Sequence, residues 1–195
     1  MRTIFTTLIL CSLFSCGSEE DQTPGASFGS VTAVFNDSGN WVSDEVYTAT
    51  PRPAFGEEPC SPNLIDVGIR KWNEKSPEYV NISNPEYVNI HEKLVISSIQ
   101  LEPGTQDLNK TIGCNGRTRF YTNVGGDMLA DIYEIDTLEA NWIRIEDIDE
   151  VNGEVTGRFE LHFQISSMRN RQLPEWPDKV TLSSGVFSFK LPSNM

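Results

Sequence analysis

The sequence predicts an all-β fold, a single antiparallel β-sandwich or curled barrel with little helix. Three observations carry this. Apolar residues recur with a period of two, most clearly where Phe159, Leu161, Phe163 and Ile165 alternate with Arg158, Glu160, His162 and Gln164. Alternation of this kind puts every second side chain on one face of a strand. Turn residues separate the runs, as in Asn36-Asp37-Ser38-Gly39-Asn40 and Asn152-Gly153. No stretch sustains a helical period with caps at its ends. Many short strands joined by turns form sandwiches or barrels.

In chain order, strands are expected at 30–35, 41–48, 64–72, 94–101, 117–122 and 128–136. The segments 141–149 and 154–166 flank Asn152-Gly153 and should pair as an antiparallel hairpin. Phe187, Phe189 and Leu191 alternate with Ser188 and Lys190 to give a last strand. A single helical turn fits near Leu138 or Leu173.

Residues 76–90 hold a tandem repeat. Ser76-Pro77-Glu78-Tyr79-Val80-Asn81-Ile82 is followed by Asn84-Pro85-Glu86-Tyr87-Val88-Asn89-Ile90. Two copies are too few for a solenoid. Each copy reads as a short strand with Tyr and Asn on one face. The pair is either a tolerated duplication in a surface hairpin or a doubled ligand face built from Tyr79, Asn81, Tyr87 and Asn89.

The chain begins with Arg2 and a mostly apolar run from Ile4 to Phe14, far short of the roughly 20 residues a membrane span needs. Leu13-Phe14-Ser15-Cys16 ends that run and resembles the lipobox of bacterial lipoproteins, with Phe14 bulkier than many lipoboxes carry. The resemblance implies that residues 1–15 are a signal peptide and that Cys16 is acylated. Two or three acyl chains, at about 0.8 kcal/mol per buried methylene, hold a protein to a membrane in effect permanently. Ser18-Glu19-Glu20-Asp21 resembles the acidic surface-export signal of Bacteroidota outer-membrane lipoproteins. Without that resemblance it reads as a solvated linker. Either way residues 16–29 are a flexible acidic tether, too poor in apolar residues to pack. Residues 30–195 are then one β domain, large enough for a core.

The domain resembles uncharacterised β-rich lipoprotein families of Bacteroidota. The likeness lies in the strand–turn–Trp segment 31–41, in Val155-Thr156-Gly157-Arg158-Phe159-Glu160-Leu161, and in Ser184-Gly185-Val186-Phe187-Ser188-Phe189. Together with the signal region, which the likeness also covers, it implies an outer-membrane, lipid-anchored location that faces the cell surface or the periplasm. It implies no activity.

The formal net charge is −13. An acidic chain repels phosphate backbones, so nucleic acid is not an expected partner. With Cys11 in the signal region and Cys16 acylated, Cys60 and Cys114 remain. They pair, as two cysteines in an exported domain usually do, or stay as two buried thiols. A bridge across about 54 residues contributes about 4 kcal/mol in the chain-entropy model.

Catalytic signals are weak. No nucleophile elbow, phosphate-binding glycine loop or zinc-protease motif is present, and no cofactor or metal is expected. His162 falls on the polar face of a strand, and His91 borders the repeat. Pairs of acids could hydrolyse glycosides, but among 28 Asp and Glu nothing singles out a pair. Residues 146–153 are acidic but lack the spacing of a calcium loop and read as a hairpin tip. Of Trp41, Trp72, Trp142 and Trp176, Trp176 stands between Pro174 and Pro177 and is the best candidate for exposure; Trp72 is the next aromatic ligand candidate. Asp136-Thr137-Leu138 resembles the O-glycosylation tripeptide of Bacteroidota. The expected function is a non-catalytic binding or accessory module for a glycan or protein ligand. A hydrolase with paired carboxylates and a structural part of a surface complex are the alternatives.

Overall fold

The computed structural model describes residues 28–51, 60–61, 63–71, 90–110, 117–124, 128–167, 172–174 and 176–191. The chain is all-β, as expected. Ten strands follow in order: β1 (Phe28–Phe35), β2 (Gly39–Ala49), β3 (Leu64–Lys71), β4 (Ile90–Gln100), β5 (Gly104–Asp107), β6 (Arg119–Val124), β7 (Met128–Ile135), β8 (Trp142–Asp149), β9 (Glu154–Ile165) and β10 (Lys179–Lys190). No helix occurs among the described residues. Leu138 sits in a turn and Leu173 in the β9–β10 connection.

All ten strands belong to one antiparallel sheet, ordered β10-β1-β2-β3-β4-β6-β7-β9-β8-β5. Phe163 and Gln164 of β9 pair with β7 and also with β10. A strand has two edges, so β7 and β10 lie on opposite sides of β9 and the sheet closes. The eight strands β1, β2, β3, β4, β6, β7, β9 and β10 form a barrel, the curled alternative rather than the sandwich. Closure reduces the unpaired edges that would invite aggregation, leaving β5 as the terminal strand of the sheet.

Side chains from all eight strands fill the barrel. Val31, Trp41, Ile69, Leu94, Phe120, Tyr133, Phe163 and Leu182 are each at most 1 % exposed. Phe120 is the hub: its ring meets those of Phe35, Trp41, Tyr133, Phe163 and Trp176 at 5.8–6.5 Å between centroids. Lower down, Phe159, Phe187 and Phe189 stack.

The rim where β1 ends and β2 begins is the upper rim. There the β9–β10 connection folds back over the barrel. Leu173 is buried. Asp131 accepts the backbone N–H groups of Gln172 at 2.7 Å and Leu173 at 3.0 Å. The Tyr133 hydroxyl donates to the Pro177 carbonyl at 3.0 Å. An inward-facing polar row lies just below. Lys71 pairs with Glu92, Glu92 with Thr122, and Thr122 with Asp131 in register across β3, β4, β6 and β7. The Glu92 carboxylate accepts the Trp41 indole N–H at 2.6 Å and a Lys71 ammonium proton at 3.0 Å. A buried carboxylate is tolerable only when held by donors in this way.

Three expectations change. Strand β5 has no apolar residue and was not foreseen. Strand β4 starts at Ile90 because polar Glu92 is satisfied inside the barrel. Strand β10 starts at Lys179 rather than near Phe187. Its inward residues are Val180 and Leu182, then Phe187 and Phe189. Ser183 and Ser184 form a bulge that shifts the phase, with Ser184 at φ +51°.

The predicted hairpin is present. Asp149 closes its tip by accepting the N–H groups of Val151 and Asn152 and the Asn152 side-chain amide. Gly153 supplies the left-handed residue, at φ +66°.

Candidate functional site

The lower wall of the barrel is split. Strand β9 pairs with β7 only through Phe163, Gln164 and Ile165, and with β8 from Glu154 to Glu160. Strands β7 and β8 therefore follow one another along the same edge. On their far side, β6 pairs with β7 and β5 with β8. Residues 108–110 after β5 and 117–118 before β6 lie outside the strands. A cleft of about 280 Å³ opens at that seam, lined by Ser97, Ser98, Lys110, Arg117, Thr118 and Glu134 among others.

The Ser97–Ser98 pair is a β-bulge. Two residues of β4 stand where β3 offers Asp66 alone, and Ser98 is left-handed at φ +57°. The Asp66 carboxylate accepts the Ser98 N–H at 2.8 Å. Burial raises the Asp66 carboxyl above its ordinary range, and that N–H partly offsets the rise. The Ser97 N–H donates to the Thr118 hydroxyl at 3.1 Å. The Ser98 hydroxyl is buried and has no hydrogen-bond partner. An L-residue held in this conformation with an unsatisfied hydroxyl carries a cost that functional sites often retain.

Across the cleft, Glu134 binds two arginines, Arg119 at 3.1 Å and Arg117 at 3.6 Å. Lys110 pairs with Asp107 at 3.2 Å. A brace of amides holds the floor. Asn141 donates to the Asn109 side-chain carbonyl at 2.8 Å and to the backbone carbonyl of Asp136 at 2.9 Å, and it accepts the His162 N–H. The cleft presents cationic and hydroxyl donors and one carboxylate. It can hold a small polar or anionic group. Neither histidine lines it, so Ser98 has no adjacent imidazole base. Among the described residues no group of three or more His, Cys, Asp and Glu could hold a metal ion.

The residues singled out from sequence lie elsewhere. Trp176 is half-buried, its ring edge-on to Phe35 at 5.9 Å. It is part of the plug rather than an exposed platform, because folding the β9–β10 connection inward brings the indole onto Phe120. Trp41 is fully buried and Trp142 half-buried. Cys60 is half-buried just before β3. Thr137 and Leu138 are exposed on a turn, and Thr137 lines the cleft. Cys16, Trp72, Tyr79, Asn81, Tyr87, Asn89 and Cys114 lie outside the described residues.

Sequence reasoning missed Ser97, Ser98, Arg117 and Glu134. A signal existed for one part: Ser97-Ser98 interrupts the apolar alternation of β4. No family model, curated protein or solved structure matches the chain.

Proposed function

We propose that the chain is an acylated lipoprotein held through Cys16 at the outer membrane, facing the cell surface, and that its barrel is a non-catalytic binding module for a glycan or protein ligand. The observation that carries the binding reading is the seam cleft. The barrel interior is packed with side chains, while the wall opens at the seam, where Ser97 and Ser98 of β4 and Glu134 of β7 meet Lys110, Arg117 and Thr118 from the segments next to β5 and β6. Rigid strands hold the first three in place. A hydrolase with paired carboxylates is less well supported, because the cleft has one acid, Glu134, and it is held between two arginines.

A Cys60–Cys114 bridge belongs to the same reading. Cys60 is not a free thiol. It precedes β3, and Cys114 falls between β5 and β6. Strand β3 begins at the lower rim, Leu64 facing Gln100, and β6 begins partway up, Arg119 facing Val95 of the descending β4.

Three experiments test the proposal. Cys16→Ala should release the protein from the membrane fraction, and retention there removes the anchor. A glycan array probed with the wild-type chain and with Arg117→Ala should show ligands lost in the variant. Flat binding to every glycan removes the sugar version. Neutralising Glu19, Glu20 and Asp21 should leave the protein anchored but protected from external protease.

A further inference from the structure

The chain is strongly acidic, yet one outer wall of the barrel gathers cations. Arg70 of β3 faces Lys93 of β4, and Lys93 faces Tyr121 of β6. One pair further down, Gly68 faces Val95 and Val95 faces Arg119. Arg117 and Lys110, at the seam cleft, continue the strip downward. Like charges placed directly opposite each other on neighbouring strands are destabilising, so the Arg70–Lys93 pair has a cost.

Aromatic rings order Arg70 and Lys93, while Arg119 and Arg117 share Glu134 and Lys110 pairs with Asp107. Tyr47 lies flat over Gly68; a Cβ there would stand 2.0 Å from its ring. The Arg70 guanidinium is 5.2 Å and the Lys93 ammonium 5.6 Å from the centroid of that ring. The Lys93 ammonium is also 6.0 Å from the Tyr121 ring. Aromatic faces attract cations and leave their charge in place. Lys93 forms no ion pair among the described residues. Glu45 meets Arg70 at 3.4 Å with both side chains exposed, a contact of little strength. A second pair of facing cations, Arg144 and Arg158, lies on the β8–β9 hairpin. There Glu146 reaches Arg158 at 3.1 Å, and among the described residues no aromatic ring orders the pair.

We infer that the outer wall of β3, β4 and β6 is the ligand face and that its ligand is an acidic polysaccharide bearing carboxylate or sulfate groups along its chain. This deepens the binding-module reading and rests on it. Cations at fixed spacing across strands about 4.8 Å apart meet the acid groups. A narrow polymer fits this strip better than a bilayer does. It follows the line of cations past the flanking acids Glu45 and Glu134, whereas a flat anionic membrane would also face the acidic remainder of the chain. A membrane-docking face also carries apolar anchors. Among the described residues the large exposed apolar side chains, Val42, Met128, Leu138, Val151 and Val186, are all outside β3, β4 and β6.

The test is a titration of the full-length protein, purified in nonionic detergent, with polygalacturonate, dextran sulfate, neutral dextran and phosphatidylglycerol vesicles. The acidic polymers should bind at low salt and weaken as salt rises; neutral dextran should not bind. Arg70→Ala with Lys93→Ala should weaken binding by about tenfold or more. Arg144→Ala with Arg158→Ala removes the same charge from another wall and should change it by less than about twofold. Equal loss in both double variants, no acidic-polymer binding at low salt, or binding to vesicles alone would each overturn the inference. If a neutral glycan binds and Arg70→Ala with Lys93→Ala leaves that binding intact, the wall assignment falls while the binding-module reading stands.

Discussion

Adjacent residues on the two faces of the same wall are treated in opposite ways. Lys71, Glu92 and Thr122 point into the barrel; Arg70, Lys93 and Tyr121, one position away on each strand, point out. Inside, every charge meets its opposite or a donor: Lys71 and Trp41 both bond to Glu92. Outside, two cations stand side by side over an aromatic ring. In a low-dielectric interior an unpaired charge costs several kcal/mol, so the inner row must be complementary. Water screens the outer row, so like charges can persist there at small cost. The inner row serves the fold, whereas the outer row is not needed for it.

The largest effect that could break this comparison is at Glu92. Glu92→Ala leaves the Lys71 ammonium and the Trp41 N–H without their acceptor, and should cost about 3–5 kcal/mol in urea unfolding. A loss below about 1 kcal/mol would show that the inner row is not structural. Asp131→Ala should cost about 2 kcal/mol. It should also speed amide exchange at Gln172 and Leu173 specifically, because those N–H groups lose their acceptor.

A smaller effect concerns pH. The Asp136 carboxyl is held below the ordinary carboxylate range, first by the hydrogen bond from Lys179 at 2.8 Å and then by the N–H of Leu138. A depressed acid stabilises the fold above its unfolded value of about 3.9 and loses that contribution as pH falls through the folded value. Lys179→Met should therefore be less stable than the wild type at pH 7, and the gap should close in acid. A gap unchanged with pH would assign the effect to packing. The smallest effect sharpens the comparison. Arg70→Ala and Lys93→Ala should each change stability by no more than about 0.5 kcal/mol, measured by thermal unfolding, since neither replaces a satisfied buried group.

Legibility followed locality. Strand β9 could be read from its own alternation, because burial on one face imposes a period of two on any half-buried strand. The β8–β9 hairpin could be read from Asn152-Gly153. The start of β10 was hidden by the Ser183–Ser184 bulge, which breaks the period the reading relies on. The start of β4 was hidden because Glu92 is polar and buried. Strand β5 is Gly-Thr-Gln-Asp; only its pairing with β8 makes it a strand. The cleft was illegible for a further reason. Ser98, Lys110, Arg117 and Glu134 come from separate segments, and register alone brings them together.

By itself the sequence determined the all-β class, the positions of most strands and the acidic balance. These depend on local alternation, turn chemistry and composition. The tertiary structure decided between barrel and sandwich, through the second edge of Phe163 and Gln164. It turned Trp176 inward as a plug and set Arg70 beside Lys93. Those outcomes depend on which strands meet and in what register, and distant residues settle that jointly by closing one sheet around one core.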